Sequence, residues 1–388
     1  MKLTIERNEL WRGIDTVLDI VPSKPALPVL SNLLLTADTD RLSLAATDLD
    51  LSIRTTIPAS VERPGTITAP ARTFAEIARE WPEAELSLDG DEERLLLTGK
   101  LGGGEGSEGA YTLPSMAPDE FPSMPTALEG QSIDFAACQD LDAHLLSTMV
   151  TKTVFAISRD DARPVLNGLF ARIDAAGIEL VGTDGSRLAR FERKADLADQ
   201  IDEGQTAEAI IPAQVCSALV KLLGSADQPV KLVLGESQAL FDLGETHLLS
   251  RLIEGPYVDY VQVIPRQNDK RLRVSNEYLL PAVRRVSILS SSYTHQVRMG
   301  LNADSIQLSA TSQEIGGEAQ EVVPAVYTQE EMEIGYNAVY LLEILRKMDS
   351  QEVLFDLRDP VTAALLRPAE QEEGEDYFCL LMPLRPSG

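Results

Sequence analysis

LSLAATD, residues 42–48, returns as IELVGTD at 178–184 and, more distantly, as IQLSATS at 306–312. Asp184 lies 136 residues after Asp48, and Ser312 lies 128 after Asp184, each close to a third of the 388-residue chain. Repeats that long are whole domains, because solenoid units repeat every 20–50 residues or so. The flanks repeat as well. A helix-like segment precedes each copy (8–20, 142–158, 276–290), followed by an apolar run (PVLSNLLL from Pro28, PVLNGLF from Pro164, QVRMGL from Gln296). After each copy comes an extended segment and a second helix, with Pro70, Pro212 and Asn337 at matching positions just before it. Proline and an asparagine cap both start helices well. Alternating strand-like stretches at Leu86 and Leu88, 231–234 and 353–357 follow, closed by YTLPSM, HLLSRLIEG and YFCLLMPLR. Two helices and several short strands per repeat predict an α+β domain used three times. Leu10, Ile14, Val17 and Leu18, and likewise Val215, Leu219, Leu222 and Leu223, form the stripes that pack on the sheets.

Hydrophobic content of 44% and charged content of 24% belong to a globular chain with real cores. No run approaches the 18 or so apolar residues of a membrane span, and the charged start MKLTIERNELW is no signal peptide. Cys138, Cys216 and Cys379 sit in apolar contexts, as buried reduced thiols of a cytoplasmic protein do. His144, His247 and His295 are scattered, which argues against a zinc site, and no other metal or cofactor is expected.

The 61 acidic and 34 basic residues give a net charge of −27, a field that repels nucleic acid as a whole. Acid is nevertheless absent from 143–158, 213–225 and 282–299, all helical segments, and gathers in loops and strands such as 89–93, 314–321 and 370–376. Helices lining a mildly positive arc would bind phosphates without reading sequence. Three rivals are weighed against this. GEGSEG at 104–109 fits GxGxxG, but Glu105 and Glu108 would repel a pyrophosphate and no helix follows, so a hairpin loop is expected. A hydrolase would use Asp48 and Asp184 as paired carboxylates, but their equivalent places in two repeats point to one turn made twice. No nucleophile–base pair appears, so the chain is read as no enzyme. A scaffold that never encircles DNA is the remaining alternative.

ALPVLSNLLL with LSLAATDLD, PARTFAEI, VLNGLF with VGTDGSRLA, LIEGPYVDYVQVIP, EMEIGYNAVYLLEIL and LMPLR are collinear along the chain. With these stretches the chain resembles the beta subunit of bacterial DNA polymerase III, the beta sliding clamps, over its whole length. The resemblance implies three topologically similar clamp domains (1–129, 130–266, 267–388), two helices packed on antiparallel sheets in each. It also implies two chains closed head to tail into a ring around duplex DNA. The ring would be a processivity factor of the polymerase holoenzyme, held by topology and without sequence preference, in the cytoplasm with the nucleoid. Implied partners are the replicative polymerase alpha subunit, the clamp loader delta subunit, and other polymerases and repair proteins carrying clamp-binding motifs. Lys24, Arg72, Arg159, Arg163, Lys221, Arg284 and Arg346 are the candidate DNA-facing cations, sparse so that sliding stays smooth. The resemblance also implies a pocket for glutamine- and leucine-bearing peptides between the middle and last domains. Its residues would be Leu166, Thr183, Gly185, Arg187, Leu188, Val258, Val263, Leu380, Met382, Pro383 and Leu384, extended by Asn337 and Tyr340. Met repacks around several ligands, and Gly185 permits a turn expected to hold Arg187 and Leu188 at the rim. The chain departs from the family at Ser186, at Tyr257-Val258 and at Gln262, and runs on through 386–388, a tail expected to shield part of the socket. Ile288 and Leu289 are the candidate dimer contacts, with the 314–321 edge facing Lys100.

Overall fold

The structure is a computed structural model that describes residues 1–101, 107–224, 230–314 and 316–385. The Gly-rich stretch 102–106 and the tail 386–388, on which two of the expectations fell, lie outside the described residues.

Each repeat is built in two halves. The first opens with β1 (Lys2–Glu6), α1 (Arg7–Leu18), β2 (Asn32–Asp38), β3 (Arg41–Thr47) and β4 (Leu51–Pro58). After the short β5 (Ser60–Arg63) come β6 (Gly65–Pro70), α2 (Ala71–Glu80), β7 (Glu85–Gly90), β8 (Arg94–Lys100) and β9 (Glu108–Pro114). The second repeat opens with β10 (Gln131–Asp134), α3 (Ala143–Thr153), β11 (Gly168–Asp174), β12 (Gly177–Thr183) and β13 (Arg187–Lys194). It continues as β14 (Thr206–Pro212), α4 (Ala213–Leu223), β15 (Lys231–Leu234), β16 (Gln238–Asp242) and β17 (Thr246–Arg251). The third opens with β18 (Lys270–Ser275), α5 (Asn276–Val286), β19 (Gln296–Leu301), β20 (Ser305–Ser312) and β21 (Gly317–Tyr327). It closes with β22 (Met332–Asn337), α6 (Ala338–Leu345), β23 (Glu352–Leu357), β24 (Ala364–Pro368) and β25 (Glu375–Leu381). Every half reads strand, helix, three strands. The three copies of the quoted stretch are β3, β12 and β20, as the repeat predicts.

The halves exchange strands. The opening strand of each half joins the sheet of its sister half: β1 lies beside β7, β6 beside β2, β10 beside β15, β14 beside β11, β18 beside β23 and β22 beside β19. All pairings are antiparallel. Contacts divide the chain into two compact units, Met1–His144 with Ser217–Leu252, and Leu145–Cys216 with Ile253–Gly388. In the first unit β17 pairs with β4, fusing two four-stranded groups into an eight-stranded sheet beside a separate five-stranded one. In the second unit β13 pairs with β25, and a twelve-stranded sheet results.

The helices bury the expected stripes. Leu10, Ile14 and Val17 of α1, and Val215, Leu219 and Leu223 of α4, are buried, whereas Leu18 and Leu222 are half-buried. Pro70 occupies the N-cap of α2, and Asn337 caps α6 by accepting from the Val339 and Tyr340 amides. Both are helix starts that the matching positions foretold. Cys138, Cys216 and Cys379 are buried free thiols.

Candidate functional site

The Thr-Asp pair of the repeat builds one turn twice. In the second repeat the Thr183 hydroxyl donates to the Arg187 carbonyl (2.6 Å) and accepts from the Gly185 amide (3.1 Å). Asp184 Oδ1 accepts from the Ser186 and Arg187 amides at 2.8 and 3.0 Å. In the first repeat Thr47 and Asp48 make the same four contacts, to the Leu51 carbonyl and to the amides of Leu49, Asp50 and Leu51. Gly185 has φ +90°, and Leu49 takes the same place at +87°. Both carboxylates are thus engaged in turn amides, and the paired-carboxylate hydrolase reading loses its residues.

Arg187 and Leu188 are not at a rim, as expected from the turn; they are buried, with 7% and 2% of their surfaces exposed. The reason is charge neutralisation. Arg187 Nε lies 3.1 Å from Asp184 Oδ2, Nη1 pairs with Glu343, and Nη2 donates to the Phe155 carbonyl at 2.7 Å. The guanidinium also stacks on the Tyr340 ring at 4.4 Å and on Phe155 at 5.3 Å. A fully bonded guanidinium can be buried where a bare one cannot. Tyr340, in the first turn of α6, is therefore tied to β13 through this arginine, and Asn337 is the residue that caps that helix.

Leu188 and Leu380 lie directly across β13 and β25 in a core cluster with Phe170, Val181, Tyr260 and Phe378. Tyr257 packs on its edge, stacked on Phe170 with centroids 4.9 Å apart, and donates to the Val181 carbonyl at 3.3 Å. Burial pushes the Tyr257 phenol well above its ordinary range, so it acts only as a neutral donor. Phe170, Phe378 and Glu343 were missed from the sequence. The two-residue period of β25 already put Phe378 on the face of Leu380, whereas nothing local marks Glu343. Val258, Val263 and Met382 are exposed at 41, 57 and 43%. The chain then crosses as a strap. The Met382 amide donates to the Ser186 carbonyl (2.9 Å) and the Leu384 amide to the Gly335 carbonyl (2.8 Å), with Pro383 between them. Leu166 is buried in the short 3-10 turn Pro164–Leu166. In the second unit Leu188 and Leu380 are thus buried side by side, Val258, Val263 and Met382 are exposed, and the strap joins Ser186 to Gly335.

The candidate cations divide. Lys24, Arg159, Arg284 and Arg346 are exposed. Arg72 is exposed too, and its guanidinium donates to the Val21 carbonyl (3.2 Å), three residues before Lys24. Arg163 pairs with Asp160 at 2.9 Å, and a Cβ on Gly185 would stand 3.0 Å from its Nη1, so it lies against the Thr183–Arg187 turn. The Ala162 amide and Arg163 together hold the Asp160 carboxyl below its usual range. Lys221 is spoken for by Asp15 and Asp19 at 3.2 and 2.9 Å. Ile288 is 71% exposed in the turn Ser287–Leu289, and Leu289 is half-buried. Among the described residues β21 pairs with β18 only at Ala325–Tyr327, so its Gly317–Val323 stretch has β20 on one side and no strand on the other, and β9 has none beyond β8. Among the described residues no three His, Cys, Asp or Glu side chains gather as metal ligands.

Family models of the DNA polymerase III beta subunit match the chain in three successive stretches: the N-terminal domain over 1–125, the central domain over 140–259 and the C-terminal domain over 261–385. The Beta sliding clamp of Caulobacter vibrioides (strain NA1000 / CB15N) is 34% identical, covering 99% of this chain and all of that one. That of Synechococcus elongatus is 31% identical over 95% of this chain and 96% of its own. Among solved structures, the sliding clamp of Pseudomonas aeruginosa bound to griselimycin is 29% identical, covers 99% of each chain and superposes with a TM-score of 0.89. The clamp of Bartonella birtlesii bound to griselimycin is 30% identical over 99% of each chain, again with a TM-score of 0.89. No helix among the described residues is long and apolar enough to cross a membrane.

Proposed function

The chain belongs to the DNA polymerase III beta subunit family, and from that premise we propose that it is a sliding clamp conferring processivity on the replicative polymerase. The observation that carries this reading is the succession of three clamp domains over the whole chain in the family's order. Domains 1–129, 130–266 and 267–388 of two copies close head to tail into a ring. The open β21 edge with Ile288 and Leu289 of one copy meets the β9 edge of the other. Duplex DNA passes through, touched by few cations: Lys24, Arg72, Arg159, Arg284 and Arg346 are exposed candidates with no carboxylate partner among the described residues, while Lys221 and Arg163 already have one. The ring works by topology, so weak phosphate contacts favour sliding. It is a processivity factor and performs no chemistry of its own.

Partners such as the polymerase alpha subunit and the clamp loader delta subunit dock leucine-bearing peptides in the socket over Leu188 and Leu380. The ligand complexes of the related clamps support a pocket of this kind. The protein works in the cytoplasm, on the nucleoid. The test is retention on closed circular DNA after clamp-loader treatment, with release on linearisation. Retention that ignores linearisation, or none at all, returns the non-encircling scaffold. Truncation after Pro383 removes the Leu384 bond to Gly335 and is expected to abolish peptide binding; full affinity in the truncated chain would overturn the socket.

A further inference from the structure

Two sheet junctions of the chain are built alike and filled differently. In the second unit β13 meets β25 with Phe191 opposite Tyr377; in the first, β4 meets β17 with Thr55 opposite Thr246. Phe191 stands 136 residues after Thr55, the interval that separates Asp48 from Asp184, and Lys152 stands at the same interval from Thr16. In the second unit these positions make a plug. The Phe191 and Tyr377 rings lie 5.5 Å apart, and the Lys152 ammonium sits 5.6 and 5.2 Å from their centroids and 2.9 Å from Asp349. In the first unit the plug is missing. Thr55 and Thr246 join hydroxyls at 2.8 Å, Thr16 replaces the lysine, and a crevice of about 710 Å³ opens beside them, floored by Gly13, Ile57 and Leu243. That volume lies within the range of small-molecule pockets, roughly 300–1,000 Å³.

The chemistry of the lining is selective. Arg41 closes a two-pronged ion pair with Glu245 at 2.8 and 2.6 Å, and Arg12 is paired with Glu9, so both lining cations are satisfied. Asp40 lines the same crevice, exposed and with no ion pair among the described residues. We propose that this crevice is a binding site for an aromatic ring carrying a protonated amine, the ligand supplying the ring and cation that Phe191, Tyr377 and Lys152 supply at the sister junction. The ring fills the space between the threonine hydroxyls and the apolar floor, and the ammonium faces Asp40. Attraction between an ammonium and a carboxylate at a half-open site gives orientation as well as affinity.

Tyramine is the probe, with p-cresol as the same ring lacking the amine. Ligand-observed saturation-transfer NMR and calorimetric titration are expected to show saturable tyramine binding to the wild-type chain. Asp40→Asn weakens tyramine and leaves p-cresol unchanged. The paired substitution Thr55→Phe with Thr246→Tyr restores the sister plug and is expected to weaken both ligands by at least about tenfold, or 1.4 kcal/mol. Thr16→Trp, on the helix face of the crevice, does the same and decides the matter if the paired variant does not fold. Unsaturable tyramine on the wild type, or equal binding by wild type and Thr16→Trp, overturns the proposal. Peptide binding at the socket of the second unit is unaffected in every variant, so failure of this site is distinguishable from failure of that one.

Discussion

Leu49 and Gly185 hold the same left-handed position in two copies of one turn, yet only one of them is glycine. A side chain there costs about 1–2 kcal/mol in an L-residue, and glycine does not suffer it. Gly185→Ala is therefore expected to destabilise by about 1–2 kcal/mol and to press on Arg163, whereas Leu49→Gly is expected to be neutral or to gain up to about 1 kcal/mol. Urea unfolding of the two variants checks the asymmetry, and equal losses would contradict it. The Thr-Asp pair was legible because its repetition is written in the sequence. That Leu49 fills a glycine's place was not, since no propensity puts leucine at positive φ. Arg187 was misplaced for a related reason: a charge reads as exposed until Asp184, Glu343 and two aromatic rings are seen around it. The thiols follow simpler rules. Burial pushes Cys216 and Cys379 up to about 12 from 9.0, so both stay protonated in the fold. Above the unfolded value the unfolded chain binds fewer protons than the folded one, so stability is complete below about pH 9 and falls as pH rises toward 12. Melting curves between neutral and alkaline pH are expected to fall more steeply for the wild type than for Cys216→Ala with Cys379→Ala. Parallel slopes would rule out the thiols as the cause.

Strand order shows where local reading ends. Every strand-like stretch named from the sequence became a strand, but the exchange of opening strands between sister halves was invisible, because a strand's periodicity does not name its partner. The consequence is that junctions between repeats are strand pairs rather than loops, and one of them carries a ladder of charge. Glu179, Arg190, Asp376, Arg367, Asp356 and Arg271 are linked one to the next across β12, β13, β25, β24, β23 and β18. The inner link matters most. Glu179 and Arg190 side chains are 12 and 16% exposed, whereas Arg271 is 63% exposed and adds little. Arg190→Met strands Glu179 and is expected to cost about 3–5 kcal/mol, while adding Glu179→Leu is expected to recover most of that loss. Chemical denaturation of the single and double variants reads this directly. A double variant no more stable than the Arg190→Met single one would show that packing of the arginine stem, not the charge, holds the strands.

For the whole molecule the balance of −27 sets the terms on which DNA is held. A protein that grips duplex through six to ten phosphate contacts loses about 10³–10⁵ in affinity between roughly 50 and 200 mM salt, because released counterions return. This chain has few cations to spend: Lys221 and Arg163 are already paired, and acidic side chains outnumber basic ones by 61 to 34. A closed ring does not need them, since a topological link has no phosphate contacts to screen. Once loaded on closed circular DNA, the protein is expected to stay through a rise from roughly 50 to 200 mM salt with less than about a twofold change in retention. Loading itself, which begins with encounter, is expected to be helped by salt, because screening weakens the repulsion between an acidic protein and DNA. Gel filtration of pre-loaded circles at several salt concentrations measures the first, and loading kinetics with a fixed amount of loader measure the second. Retention that falls by orders of magnitude over that range would mean that the chain grips phosphates and that ring closure is not what keeps it on DNA.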